Sequence, residues 1–314
     1  MADKSTRPIY GKYPQVIGNA SVAIRPNWLP REGPGQENVE PLRWLMTIEQ
    51  WIWFVRACIN TDTWKALADA RDDDEYQMSM YDVNEHFVKP WTAGTGSSIT
   101  LLMNATSNEY QPVELMLSHA RGGSVIETYN CLQNLCNHHN VHSSTPIFFC
   151  VFSMYQPEDG AAGGISISKQ LTLEPFAKII QSNPKYGMKV LHTTTFEVYK
   201  RLWTVHEVDE SVAKNIAISG LFDLYRWNLN KFLSVQGIVT EESECGDLKD
   251  IEFLTALINK RGGFEALDKV IASFRGRMSI ELEKQLKEKL LENDRSDNNN
   301  AQQWHRFENN WWEG

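Results

Sequence analysis

The chain of 314 residues lacks the sequence features that mark several large classes of proteins. It has only five cysteines and no CxxC pair, so we expect no disulfide scaffold and favour a reducing, cytoplasmic location. It also lacks the GxGxxG motif of Rossmann dinucleotide sites and the GxxxxGK(S/T) motif of P-loops. Nucleotide binding, if present, must therefore use a different arrangement of residues.

An excess of positive charge is also missing. Lysine and arginine total 31 residues against 40 aspartates and glutamates, which gives a formal net charge of -9. A negative whole-molecule field opposes binding to phosphate backbones, so nucleic acid is not an expected partner. A local pair of cations such as Lys200 and Arg201 can oppose the global sign, so small anionic ligands stay possible.

No segment has the features of a membrane anchor, a targeting signal or a metal site. The most apolar segment, residues 44–59, is interrupted by polar residues and is too short for a bilayer, so no transmembrane segment is predicted. Residues 1–15 lack the apolar core of a signal peptide. Cys131 and Cys136 would lie on different faces of a helix, so we predict no metal there.

The order of the patterned segments is typical of an α/β protein. Apolar runs predict strands at residues 98–104, 113–118, 146–152, 188–192 and 215–220. Periodicity predicts helices at residues 124–139, 173–181 and 196–208. An S-x-x-E capping box of Ser124 and Glu127 opens the first of these helices. Because parallel strands need such crossovers, we predict a doubly wound, flavodoxin-like parallel sheet over residues 113–227.

The remaining segments predict extensions on both sides of this unit. Residues 1–97 are interpreted as an N-terminal arm and helical region, with a helix over residues 41–70, and residues 98–235 as the α/β domain. Residues 236–292 are interpreted as a C-terminal helical extension and residues 293–314 as a polar tail. The three helices predicted in the extension lie at residues 248–259, 264–274 and 280–291.

Chemistry is expected at the carboxyl ends of the strands, where open α/β sheets bind ligands. Ser118 and His119 lie at one such end, and Arg121 follows in an ARGGS turn before a capped helix, where a phosphate can bind. Trp203 and Glu207 lie four residues apart, so they share one helix face. An aromatic wall beside a carboxylate suits sugar or nucleotide chemistry. A core tryptophan beside a solvated acid is the structural alternative.

These residues carry a resemblance to a known family. The succession of a strand, an LSHARG turn, a helix, a buried strand, a glycine-rich loop and a W-x-x-x-E helix resembles the Toll/interleukin receptor (TIR) domain. That family has a Trp-Cys-x-x-Glu signature on its third helix. Trp203 and Glu207 match it here, and Thr204 stands at the cysteine position. Residues 197–210, EVYKRLWTVHEVDE, also resemble a stretch of uncharacterised algal proteins, which implies no function.

The TIR resemblance implies an activity and a set of site residues. Enzymatic TIR domains cleave nicotinamide from NAD with the third-helix glutamate, which implies Glu207 as the catalytic residue and NAD as substrate rather than cofactor. By the same resemblance, Trp203, Ser118, His119 and Arg121 would contact the nucleotide. Other TIR domains are adaptors without turnover. A non-catalytic scaffold that associates with itself or with a protein partner is therefore the alternative, and another nucleotide-binding enzyme on the same sheet is a third hypothesis.

Overall fold

The computed structural model describes residues 5–11, 13–71, 77–106, 111–138, 141–157, 163–234 and 237–296. The strands of these residues are β1 (Thr6–Tyr10), β2 (Val16–Ser21), β3 (Met46–Thr47), β4 (Leu115–Ser118), β5 (Pro146–Phe149), β6 (Met188–His192) and β7 (Ile218–Phe222). The helices are α1 (Ile48–Ile59), α2 (Asp62–Asp69), α3 (Met80–Val83), α4 (Lys89–Thr92), α5 (Ile99–Met103), α6 (Val125–His138), α7 (Cys150–Ser153), α8 (Ile167–Leu171), α9 (Pro175–Gln181), α10 (Leu202–Ala213), α11 (Leu229–Ser234), α12 (Leu248–Lys260) and α13 (Gly263–Ser296). A π-helical segment, Asn84–Val88, joins α3 to α4.

The central sheet has the strand order β3-β5-β4-β6-β7. The pairs β4–β5, β4–β6 and β6–β7 are parallel, and only the short edge strand β3 runs antiparallel. The α/β fold with a mostly parallel sheet is therefore confirmed. Its four parallel strands follow the flavodoxin-like order, in which β5 is added on one side of β4 and β6 and β7 on the other, so the order of strand addition reverses between β4 and β6.

The sheet is buried on both faces, as the continuous apolar strands predict. Successive side chains of a strand point to opposite faces. Accordingly Leu117 and Phe149 join a core with α1 and α6, whereas Met116 and Phe148 join a second core with α9, α10, α12 and α13. A separate hairpin of β1 and β2 packs its Ile9 into the first of these cores.

The predicted strand at residues 98–104 is wrong, because this segment forms α5. The Ser98 hydroxyl accepts a hydrogen bond from the Leu101 amide at 3.4 Å, which caps the helix. A short apolar run does not distinguish a strand from a buried helical turn by its pattern. The N-cap serine was the signal that favoured the helix.

The apolar run at residues 146–152 also divides into two elements. β5 ends at Phe149, and α7 turns the chain at once. The Phe149 amide donates to the Ser153 hydroxyl at 2.9 Å, a local side-chain bond at the junction of β5 and α7. The strand predicted at residues 215–220 is shifted, because Asn215 has a φ of 54° at the end of α10 and β7 begins only at Ile218.

The helical predictions at the two ends need correction as well. The predicted helix over residues 41–70 is interrupted, since it contains β3 and the separate helices α1 and α2. Residues 264–274 and 280–291 form one helix, α13, because Phe274, Met278 and Leu282 continue a single buried stripe across Gly276. Residues 293–296 of the predicted tail belong to this helix, and residues 297–314 lie outside the described residues.

Both predicted extensions contact the central unit. β3 pairs with β5 at one edge of the sheet, and α13 packs against α10 and β7 near the other. The boundaries at residues 97/98 and 235/236 stay predictions. Within the described part of the chain, no helix combines the length and the apolar character needed to cross a membrane.

Candidate active site

A cavity of about 400 Å³ lies at the carboxyl ends of β4 and β5. Its wall includes the residues that follow these two strands, one face of the first turns of α10, and the segment of residues 245–250 before and within α12. Two tyrosines of the N-terminal region complete it. This is the edge of the sheet, next to the reversal between β4 and β6, where ligands bind in open α/β folds. The volume falls in the range of small-molecule sites, about 300–1,000 Å³.

Glu207 lines this cavity from the second turn of α10. Glu207 is only 5% exposed, and the hydroxyl of Ser118 donates a hydrogen bond to Glu207 Oε2. Burial raises the pKa of Glu207 to about 8, although the hydrogen bond from Ser118 lowers this pKa. The carboxyl is therefore mostly protonated at pH 7 in the ligand-free protein. Ser118 itself, 1% exposed, lies behind Glu207 and supports it.

Trp203 lines the same cavity from the first turn of α10, as its four-residue spacing from Glu207 predicts. Its Nε1 donates to Asp250 Oδ2 at 3.1 Å, and its ring lies 4.9 Å from that of Phe176 at an angle of 31°. Two neighbours from other elements thus hold the indole in place while part of it stays exposed. The ring is available as one wall for a planar ligand.

His119 and Cys150 meet beside Glu207 as a neutral pair. His119 Nδ1 lies 3.9 Å from Cys150 Sγ, and the imidazole packs edge-on against Phe149 at 4.6 Å. Burial lowers the pKa of His119 to about 3, with a contribution from the charges of Arg121 and Arg201. Burial likewise raises the pKa of Cys150 to about 12. The thiol is therefore not an activated nucleophile, because desolvation outweighs the opposing effect of the Arg121 and Arg201 charges on its pKa.

Thr204 has a structural role at the position where the TIR signature has cysteine. Its hydroxyl donates to the His119 carbonyl at 3.3 Å, and the residue is 1% exposed. This bond ties the first turn of α10 to the loop after β4. Thr204, although it differs from the cysteine of the signature, therefore connects the two segments that carry Glu207 and His119.

Cationic side chains gather at the cavity although the chain is acidic overall. Arg121, Arg201 and Lys89 all line it. Arg121 Nη2 lies 3.4 Å from Gln156 Oε1, and among the described residues it has no carboxylate within ion-pair distance. Arg201 is 3.7 Å from the exposed carboxylate of Glu244. Lys89 is paired with Glu85, and Asp247 and Asp250 also line the cavity. Arg121 is therefore the cation best placed to meet an anionic group of a ligand.

The predicted phosphate cradle at the start of α6 is only partly available. The Val125 amide donates to the Met78 carbonyl at 2.9 Å, and the Glu127 amide to the Ser124 hydroxyl at 3.2 Å. Those two amides are therefore occupied. The reciprocal half of the capping box is wrong, because the Glu127 carboxylate instead accepts from the amide and hydroxyl of Thr194 at 2.7 and 2.6 Å.

Comparison of the chain with protein-family models, curated proteins and solved structures gave no match. The TIR resemblance therefore stays a prediction based on the short motif, and the argument for function depends on the cavity. Within the described residues, no group of three or more His, Cys, Asp or Glu side chains is arranged to hold a metal ion.

The structure brings four of the five predicted site residues into the cavity wall: Trp203, Glu207, His119 and Arg121. It adds Tyr13, Tyr81 and Asp250, which the sequence did not single out. No sequence signal connects these three with Glu207, because they belong to distant segments. Lys200 and Arg201 were noted only as local cations, and Arg201 is the one that lines the cavity.

Proposed function

We propose that the cavity binds a nucleotide and that the protein cleaves NAD between ribose and nicotinamide, with Glu207 as the catalytic residue. The observation that carries this proposal is the buried carboxyl of Glu207 in the cavity wall, with Trp203 and Arg121 beside the same space. A strongly perturbed carboxyl in a concave site is typical of a catalytic group. The aromatic ring suits a base or nicotinamide, and the guanidinium suits a phosphate.

The chemistry follows from the charge of the substrate. The nicotinamide ring of NAD is cationic, and its binding near Glu207 favours the ionised carboxylate, whose proton passes to solvent, because an opposite charge lowers the pKa of an acid. When the C1′–N bond breaks, its electron pair neutralises the ring and leaves positive charge on the ribose. The carboxylate stabilises that charge. Water then adds to C1′ and releases one proton, so the products are nicotinamide and ADP-ribose.

Glu207→Gln tests the proposal directly, since it keeps the shape of the side chain and removes the charge. Purified wild-type protein should release nicotinamide from NAD, measured by chromatography, and the variant should lose at least about a hundredfold in rate, as for loss of an electrostatic stabiliser. Glu252→Gln on the exposed face of α12 is the matched control and should keep the wild-type rate. Release of nicotinamide by Glu207→Gln at the wild-type rate would remove Glu207 from the mechanism.

A non-catalytic nucleotide-binding or scaffold protein is the second candidate, and one observation favours it. With its pKa raised to about 8, Glu207 is mostly protonated at pH 7 and is already bonded to Ser118, which suits a site that binds without turnover. Self-association, a protein partner and a cytoplasmic location belong to this proposal too. A defined oligomer in light scattering, together with no nicotinamide release, would support this candidate over the enzyme.

A further inference from the structure

A stacked pair of tyrosines forms part of the cavity wall, and neither belongs to the segment that resembles a TIR domain. Tyr13 lies between β1 and β2, and Tyr81 lies in α3. Their ring centroids are 3.8 Å apart with an interplanar angle of 6°. Both rings border the cavity. Tyr81 is 8% exposed, whereas Tyr13 is partly exposed, so Tyr13 is the more accessible of the two.

A buried ion pair anchors the segment that carries Tyr81. The Asp82 carboxylate lies 2.7 Å from Arg71 Nη2 and accepts from the Ser79 amide and hydroxyl at 2.9 and 2.8 Å. The Tyr81 amide in turn donates to the Arg121 carbonyl at 3.0 Å. The segment that carries Tyr81 is thus fixed both to the N-terminal region and to the loop after β4. A preorganised ring loses little entropy when a ligand binds.

The arginines of the cavity lie near both Tyr81 and the residues around Glu207. Arg121 and Arg201 line the same cavity as Tyr81 and His119. Burial raises the pKa of Tyr81, and the charges of Arg201 and Arg121 oppose this rise. The same two charges act on His119, which lies beside Glu207. Trp203 and Phe176 provide a separate aromatic wall near Asp250.

We propose that the Tyr13–Tyr81 pair is a second aromatic subsite, which holds the base at the far end of a dinucleotide. This inference rests on the proposed function and extends it to the ligand's second half. The wall of Trp203 and Phe176 would contact the nicotinamide ring that leaves beside Glu207. The diphosphate would contact Arg121 and Arg201, and the other base would contact the tyrosine pair. Stacking on aromatic side chains binds bases of any identity.

Binding of two ligands distinguishes this subsite from the rest of the cavity. NAD carries two bases, whereas nicotinamide mononucleotide carries only the nicotinamide half. Tyr13→Ala should raise the Kd for NAD on the order of tenfold, as expected for the loss of one stacking ring, and leave the Kd for the mononucleotide unchanged. Tyr13→Phe keeps the ring and should match the wild type for both ligands in calorimetry. If Tyr13→Ala fails to fold, Tyr13→Leu takes its place. Leucine keeps an apolar contact on Tyr81 but removes the ring, so the same rise in the Kd for NAD alone is expected.

The outcomes separate this inference from the proposed function. An equal loss of affinity for both ligands, or no loss for either, in Tyr13→Ala overturns the subsite even when wild-type protein cleaves NAD. A loss confined to NAD supports the subsite even when no nicotinamide is released, in which case the proposed activity falls and the dinucleotide site stands. Failure of the wild-type protein to bind either ligand overturns both.

Discussion

Glu207→Gln is expected to change how the stability of the protein depends on pH, whatever the function. Burial raises the pKa of Glu207 from its usual 4.5 to about 8. Between these values the folded protein keeps a proton that the unfolded chain has released, so the free energy of unfolding falls as the pH rises. At about 1.4 kcal/mol per pH unit, the loss reaches at most about 5 kcal/mol by pH 9. The stability from this group is complete below pH 4.5, and glutamine shows no such loss because it does not titrate.

The measurement is urea unfolding at a series of pH values from 5 to 9, followed by fluorescence of the eleven tryptophans. The difference in unfolding free energy between Glu207→Gln and wild type should shift in favour of the variant as the pH rises. Other titrating groups cancel in this difference because both proteins contain them. Glu252→Gln, at an exposed position, should follow the wild type throughout. Parallel curves for wild type and Glu207→Gln would refute the argument, since they would mean that Glu207 ionises in the fold as it does in water.

Two further sets of substitutions test the structure around the site and the sheet. Ser118→Ala removes a hydrogen bond that lowers the pKa of Glu207, so the fall in stability should extend to higher pH in the same titration, and a curve identical to wild type would contradict this. Gly187→Ala would place a Cβ 2.0 Å from the Ala217 carbonyl oxygen at a φ of 67°, and should cost about 3 kcal/mol or more in urea unfolding. Gly276→Ala, in open space on α13, should instead add about 0.5–1 kcal/mol, and similar effects of the two alanines would contradict both assignments.

The fold was predictable where a segment carries a period of its own. The runs at residues 113–118 and 188–192 are strands, and the capped segment from Ser124 is a helix, because burial on both faces of a sheet and a helix stripe each leave a direct pattern. The strand predicted at residues 98–104 is wrong because a run of seven residues, four of them apolar, is too short to distinguish the period of a strand from that of a helix. The gap predicted between the helices at residues 264–274 and 280–291 does not exist, since α13 continues through Gly276 and its packing overrides the low helix propensity of one glycine.

The candidate site was predictable to the extent that its residues are close in sequence. Trp203 and Glu207 share a face by helix geometry alone, and Ser118, His119 and Arg121 follow one strand. These two groups meet because of the order of the strands, which places β4 beside β6 in the sheet. Tyr13 and Tyr81 are unconnected to either group in sequence, and only the packing of the N-terminal region against the loop after β4 brings them to the cavity.

The sequence by itself determined the alternation of strands and helices, the acidic overall charge and the spacing of Trp203 and Glu207, because each is a property of neighbouring residues or of composition. The tertiary structure alone decided the environment of Glu207. Its carboxyl is placed 5% exposed against Ser118, and the resulting desolvation raises its pKa to about 8. Desolvation depends on what surrounds a group from every side, and for Glu207 those surroundings include Ser118, which lies 89 residues away in the chain.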